Sequence, residues 1–290
     1  CNSRCHPTGK RREYPGIWMR NITFIADFYV EEVAGGGELV NEVLIKSLEK
    51  RGFSVRRMKS QQTTVSDIAQ SDDFFIVANF IGLSQECRET LIEKDYAIFE
   101  HDHKYLKTRD PSPFPNYLAP EDQIINKVFY QKAKAIFCQS NIHARVVSEN
   151  LLVDNVINLG CSMWSDEHLK VLRDNLNTSK KKRKVIIASN NLVKGSMQAE
   201  AFCVKIKNDY DLIQPCTFDD LIPQLAQYES LVFFSQVLET FCRLAVEARI
   251  LGCKLITNGN NGCASEDWFA KLKGEELLDF VESKRDKIVN

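Results

Sequence analysis

The sequence predicts an α/β protein made of two Rossmann-like domains whose parallel sheets face a cleft. Three observations carry this. Short apolar runs alternate with stretches whose apolar residues recur at helical spacing. The runs are continuous rather than alternately polar, as expected of strands buried on both faces of a parallel sheet. The alternation also occurs twice, separated by the polar stretch 162–184, which ends in Lys180-Lys181-Lys182-Arg183-Lys184. Two successive βα arrays of this kind imply two doubly wound units.

In chain order, residues 21–28 form the first strand and Gly35-Gly36-Gly37 a loop. Residues 38–51 form an amphipathic helix with Leu39, Val43, Leu44 and Leu48 on one face, stopped at Gly52. Strands follow at 53–58 and 73–78, a helix at 84–93 and a buried strand at 96–100. The first array closes with a helix at 124–133, a strand at 135–139, a helix at 144–150 and a short strand at 156–159. The second array has strands at 185–188, 210–213, 231–235 and 254–257, with helices at 196–208, 218–227 and 240–251 between them. A last helix covers 274–287. The expected layout is an N-terminal domain over 19–161, a linker over 162–184, a C-terminal domain over 185–272 and a terminal helical segment over 273–290.

Composition excludes several classes. A net charge of −1 over 290 residues gives no overall pull toward nucleic acid or an anionic membrane. No apolar run approaches the ~20 residues of a spanning helix. The ten cysteines are scattered without a CxxC pair, and several sit in apolar runs, which reads as free thiols in a reducing, cytoplasmic setting. Residues 1–18 are basic and lack an apolar signal core, so they read as a tag or a disordered extension, with Met19 as the native start. The basic run reads as a solvated linker; contact with nucleic acid or the surface of a membrane is the other reading.

Four segments could carry chemistry. Glu239 and Glu247 stand eight positions apart. Glu239 follows a strand and falls on a strand-to-helix loop; Glu247 lies further along the helix. A helix N-terminus there favours a bound anion such as a diphosphate. Gly35-Gly36-Gly37 lets backbone amides approach a ligand, or is a plain turn; it matches neither GxGxxG nor a P-loop. Glu100-His101-Asp102-His103 closes a buried strand, and His101 and His103 share a face if the strand continues. A histidine here can meet a substrate hydroxyl or be hydrogen-bonded structurally, and no metal-ligand spacing is present. Ser189, Asn190 and Lys194 lie on the loop after the second array's first strand, where Lys194 can offset a diphosphate's charge and the asparagines can hydrogen-bond a ligand.

Together these segments resemble the GT-B glycosyltransferases, in particular the large retaining family with a Glu-x7-Glu motif. The stretch from Glu239-Thr240-Phe241 to Glu247-Ala248, followed by Gly252 and Leu255-Ile256-Thr257, looks like that family's donor block. Gly35-Gly36-Gly37-Glu38 looks like its first loop, His101-Asp102 like its histidine segment, and Lys194-Gly195 like its lysine-glycine pair. Gln139-Ser140 and Asn158-Leu159-Gly160 resemble its landmarks before the crossover, so the resemblance spans residues 20–270.

The resemblance implies a transferase that moves a sugar, with retention, from a nucleotide diphosphate sugar to a glycan, lipid-linked or other hydroxyl acceptor. The N-terminal domain would take the acceptor and the C-terminal domain the donor. Glu239 would sit beside the donor sugar, with the amides of Thr240, Phe241 and Cys242 near sugar and phosphate. Glu247 would hold the ribose, Lys194 the leaving diphosphate, the amides of Gly35, Gly36 and Gly37 the phosphate or sugar, and His101 the transferred sugar. No metal or cofactor would be needed. Peripheral membrane contact is compatible with a lipid-linked acceptor; nucleic acid is not an expected partner. Two departures stand out. Ser189 occupies the place of an expected arginine, for which Arg243 could compensate, and Cys242 occupies the place of a glycine. The alternative is a weak or inactive nucleotide-sugar or glycan binder on the same scaffold; another GT-B enzyme, such as an epimerase, comes third.

Overall fold

The computed structural model describes residues 21–289, so the expectation for residues 1–18 lies outside the described residues. The first array builds one six-stranded sheet from β1 (Ile22–Ala26), β2 (Val55–Lys59), β3 (Phe74–Val77), β4 (Tyr96–Phe99), β5 (Ile136–Cys138) and β6 (Val156–Asn158), in the order β2-β1-β3-β4-β5-β6. Every pairing in it is parallel. Its helices are α1 (Gly36–Lys50), α2 (Val65–Ala69), α3 (Gln85–Ile92), α4 (Lys127–Lys132) and α5 (Asn141–Leu151). The second sheet holds β7 (Lys181–Ile187), β8 (Tyr210–Ile213), β9 (Tyr228–Phe233) and β10 (Lys254–Thr257) in the order β10-β9-β7-β8, again all parallel. Around it lie α6 (Asp166–Asp174), α7 (Ser196–Lys205), α8 (Phe218–Leu225), α9 (Arg243–Ile250), α10 (Asp267–Lys271) and α11 (Gly274–Ile288).

The continuous apolar runs are buried as their composition requires: all five residues of β1 and all four of β4 are buried. In each sheet the strand order reverses once, between β1 and β3 and between β7 and β9. Loops leaving the carboxyl ends of strands part at such a point and leave a crevice between them. The loops carrying Gly35, Lys194 and Glu239 follow β1, β7 and β9, so the chain order itself delivers these residues to the two crevices.

The stretch 162–184, expected as a linker, carries regular structure. It contains α6, capped by Ser165 Oγ, which accepts from His168 N at 3.2 Å, with Leu169 and Leu172 buried in the second core. The basic run opens β7, the strand between β9 and β8. Four of its five side chains meet a neighbouring group. Lys180 Nζ donates to the carbonyls of Ala226, at 2.8 Å, and Leu251. Lys181 Nζ stands 5.1 Å from the Tyr228 ring centre, and Arg183 pairs with Asp211 at 2.9 Å. The exposed start of a strand carries no apolar pattern, so composition hid it. Gly36 and Gly37 likewise belong to α1 rather than to a loop, with Gly35 as its N-cap. The strand before His101 stops at Phe99, so His101 and His103 do not continue it.

α11 links the two cores. Leu277, Leu278 and Val281 pack in the second, while Ile288 and Val289 reach the cluster around Phe24 and Val40 in the first.

Candidate functional site

A cavity of about 650 Å³ lies between the two sheets. Gly36, Gly37, His101 and Gln139 line it from the first unit; Ser189, Lys194 and the segment Glu239–Leu244 with Glu247 line it from the second. Its volume falls within the ~300–1,000 Å³ usual for a small-ligand site.

Lys194 and Glu239 reach the cavity from the loops flanking the second sheet's reversal. Their contact is direct, Lys194 Nζ to Glu239 Oε1 at 2.9 Å. Burial pulls the lysine toward its neutral form, but the Glu239 carboxylate outweighs burial and the pKa moves up. Gly195 permits this geometry. Its φ is +68°, and a Cβ there would lie 1.8 Å from the Phe234 carbonyl oxygen. The backbone of Glu239 is held on both sides: Glu239 N donates to Asn260 O at 3.0 Å, and Gly262 N donates to Glu239 O at 2.9 Å.

Glu247 lies one helical stretch further on, 4% exposed, and its Oε1 accepts from Trp164 Nε1 at 2.8 Å. Arg243 lies over the same indole, 4.8 Å from the ring centre, with its Nε 3.6 Å from Glu247 and its Nη1 donating to Met163 O at 2.6 Å. Its Nη2 is buried without a partner. Arg243 is thus committed to Glu247 and Trp164, and a compensating role for the absent arginine at Ser189 would need it to leave them. Phe241 contributes backbone rather than side chain, since its ring is buried between Trp164 and Trp268, with both ring centres 6.2 Å away.

On the opposite wall the N-terminus of α1 opens toward the cavity. A Cβ on Gly37 would meet His101 Cγ at 3.4 Å, and one on Gly36 would meet Arg243 Cδ at 3.9 Å, both ordinary packing distances, so the helix end lies against His101 and the Arg243 stem without requiring glycine. His101 Nε2 lies 2.6 Å from Asn41 Oδ1, and its Nδ1 lies 3.0 Å from Gln139 Nε2. The network therefore assigns a neutral imidazole that donates from Nε2 and accepts at Nδ1. Burial, helped by the nearby Lys104 charge, pushes its pKa down to about 3. Its carbonyl also accepts from Thr240 Oγ1, at 2.9 Å. As arranged, His101 ties α1, the end of β5 and the glutamate loop together, and has no spare nitrogen for a sugar hydroxyl. His103 faces away from the cavity, 3.0 Å from Tyr105 OH and buried.

Ser189 lines the cavity but spends its Oγ on Asn191 N at 3.1 Å, and Asn190 is exposed outside the lining. The cavity also has a wall that the motifs did not reveal, formed by Gln214, Pro215, Cys216, Phe218 and Leu221 after β8. The polar-then-apolar stretch after a second-array strand was its only signal. Among the described residues every cysteine is a free thiol, and no group of three metal-ligating side chains occurs. No helix among them is long and apolar enough to cross a membrane.

No protein-family model and no curated protein sequence matches the chain. Solved structures do resemble it. Anabaena Alr3699/HepE in complex with UDP and glucose matches at 15% identity over 93% of this chain and 90% of that one, with a TM-score of 0.50. An alpha-glucosyltransferase in complex with UDP-glucose and abasic DNA matches at 12% over 93% and 89%, TM-score 0.48. The pneumococcal O-GlcNAc transferase GtfA in complex with UDP and GlcNAc matches at 13% over 80% and 58%, TM-score 0.47. The fold is GT-B: two Rossmann-like domains whose parallel sheets face a cleft.

Proposed function

We propose that the protein is a glycosyltransferase that moves a sugar from a nucleoside diphosphate sugar to a hydroxyl acceptor, with retention and without a metal. The observation that carries this reading is the meeting of Lys194 and Glu239 across the cavity from the N-terminus of α1. A leaving diphosphate develops negative charge; helix N-termini and a lysine ammonium are the groups that stabilise it in a water-poor cleft. The retaining outcome is supported only by the resemblance to the retaining family with which the Glu239–Glu247 pair is shared. His101, neutral and doubly hydrogen-bonded, is a wall of the site and not a proton shuttle.

Each cation on the cavity lining faces a carboxylate, Lys194 with Glu239 and Arg243 with Glu247. A diphosphate must therefore compete with Glu239 for Lys194. Success frees the Glu239 carboxylate to accept hydrogen bonds from the sugar. This exchange makes a split prediction. Glu239→Gln should bind UDP several-fold tighter, because the competitor is gone, yet lose UDP-glucose turnover. Calorimetry and glucose release read the two arms, and turnover should persist in a chelator. Unaltered UDP affinity together with near-normal turnover would overturn the assignment.

The same internal pairing favours a second reading, a nucleotide-sugar binder with little turnover, because Ser189 leaves no further cation on the lining. It predicts tight UDP-glucose binding without sugar release for any acceptor.

A further inference from the structure

The loop bearing Glu239 belongs to the second unit, yet its flanks are held by the first. Leu238 N, just before the glutamate, donates to Asp110 Oδ1 at 3.2 Å. Just after it, Thr240 O accepts from Ser140 Oγ at 2.7 Å, and Thr240 Oγ1 donates to His101 O at 2.9 Å. Between these points the backbone of Glu239 is bonded only to its own unit, through Asn260 and Gly262. Asp110 is aimed by its surroundings. Its carboxylate also accepts from Ser112 N at 2.9 Å and Ser112 Oγ at 2.8 Å. The preceding Arg109 holds a left-handed backbone, φ +55°, a cost that the surrounding structure must sustain. Ser140 is fully buried, and neither residue lines the cavity.

We propose that Asp110 and Ser140 are positioning residues: the first unit sets where the Glu239 carboxylate stands, although neither side chain touches the ligand. The inference rests on the donor-site reading of Glu239 for its consequence in turnover, but not for the brace itself. The bonds to Asn260 and Gly262 fix the Glu239 backbone within its own unit, and the two flanking bonds from across the cleft fix its distance to the far wall, so loss of the latter shifts the carboxylate. A misplacement of ~1 Å at a reacting centre costs about a hundredfold in rate.

The test uses the full chain. Hydrogen exchange of residues 236–243 and steady-state glucose release from UDP-glucose are measured for Asp110→Ala, Asp110→Asn and Ser140→Ala. Asp110→Ala should speed exchange at Leu238 by about tenfold, the worth of one hydrogen bond. It should also lower kcat by about ten- to a hundredfold with KM little changed. Asp110→Asn keeps the Oδ1 acceptor and should restore both readouts. Ser140→Ala should act in the same direction. It also removes the cap that Ser140 Oγ provides to His143 N at 3.3 Å, so if it fails to fold the Asp110 pair decides. Parental exchange in Asp110→Ala overturns the brace, and faster exchange with parental kcat overturns the positioning role. If the parent itself releases no glucose, the donor reading has failed, and the exchange result alone decides whether the first unit holds the loop.

Discussion

Cys242 stands at φ +74° as the N-cap of α9, in the left-handed region that glycine enters freely and other L-residues enter at a cost of ~1–2 kcal/mol. A glycine is the residue that this backbone conformation favours. Cys242 is 7% exposed, so its side chain returns part of that cost through packing. Cys242→Gly should then be close to neutral, within about 1 kcal/mol, since relieved strain offsets lost packing. Cys242→Val adds a branched Cβ to the same backbone and should cost about 2 kcal/mol or more. Urea unfolding separates the two, and a valine variant as stable as the parent would show that the left-handed turn is not required. Glu239 was legible at this scale from its spacing to Glu247. Apart from the local Arg243–Glu247 pair, the commitments of His101 and Arg243 were not, because their other partners, Asn41, Gln139, Trp164 and Met163, lie far away in sequence and meet only after the sheets form.

The elements that end beneath the cleft bury His103 and His143 and half-bury His101. His103 and His143 lie with ring centres 5.4 Å apart, and His101 sits above them. Burial lowers each pKa, to about 4 for His103 and about 3 for His101, with His143 also moved down. The unfolded chain takes up these protons below pH ~6.5 while the native state refuses them. Stability is therefore fully present above pH 6.5 and is lost as pH falls toward 4. Buried Glu100 works the other way: burial raises its pKa, so it favours the native state as pH falls, while Lys104 opposes that rise. His103→Gln should flatten the stability profile between pH 7 and 5 by about 2 kcal/mol; an identical profile in parent and variant would show that His103 is not held neutral. The strands beside these histidines were legible because a buried parallel strand is a continuous apolar run, as in Tyr96–Phe99. α6 and the opening of β7 were not. α6 presents little beyond Leu169 and Leu172 to the core, and β7 begins with four basic residues whose partners are distant in sequence.

Across the whole molecule, the two sheets are joined by more than the connecting chain. The first amides of α5 would be unsatisfied on their own. Instead Asn141 N donates to Glu266 Oε1 at 2.6 Å, and Ile142 N donates to Ser265 Oγ at 3.0 Å, so a helix of the first unit is capped by side chains of the second. Trp268 Nε1 adds a bond to Gly160 O at 3.0 Å. α11 then runs from the second core to the first. Neither unit can unfold without breaking these bonds and exposing part of the other's apolar surface. Calorimetry should accordingly give one unfolding transition, with calorimetric and van't Hoff enthalpies in agreement. Glu266→Ala removes a carboxylate acceptor from a partly buried helix end and should cost about 1–2 kcal/mol. It should do so without splitting the transition, because α11 still spans both cores. Two transitions in the parent would mean that the cap and α11 do not couple the units. Two transitions in Glu266→Ala alone would assign the coupling to the cap and remove α11 from the argument.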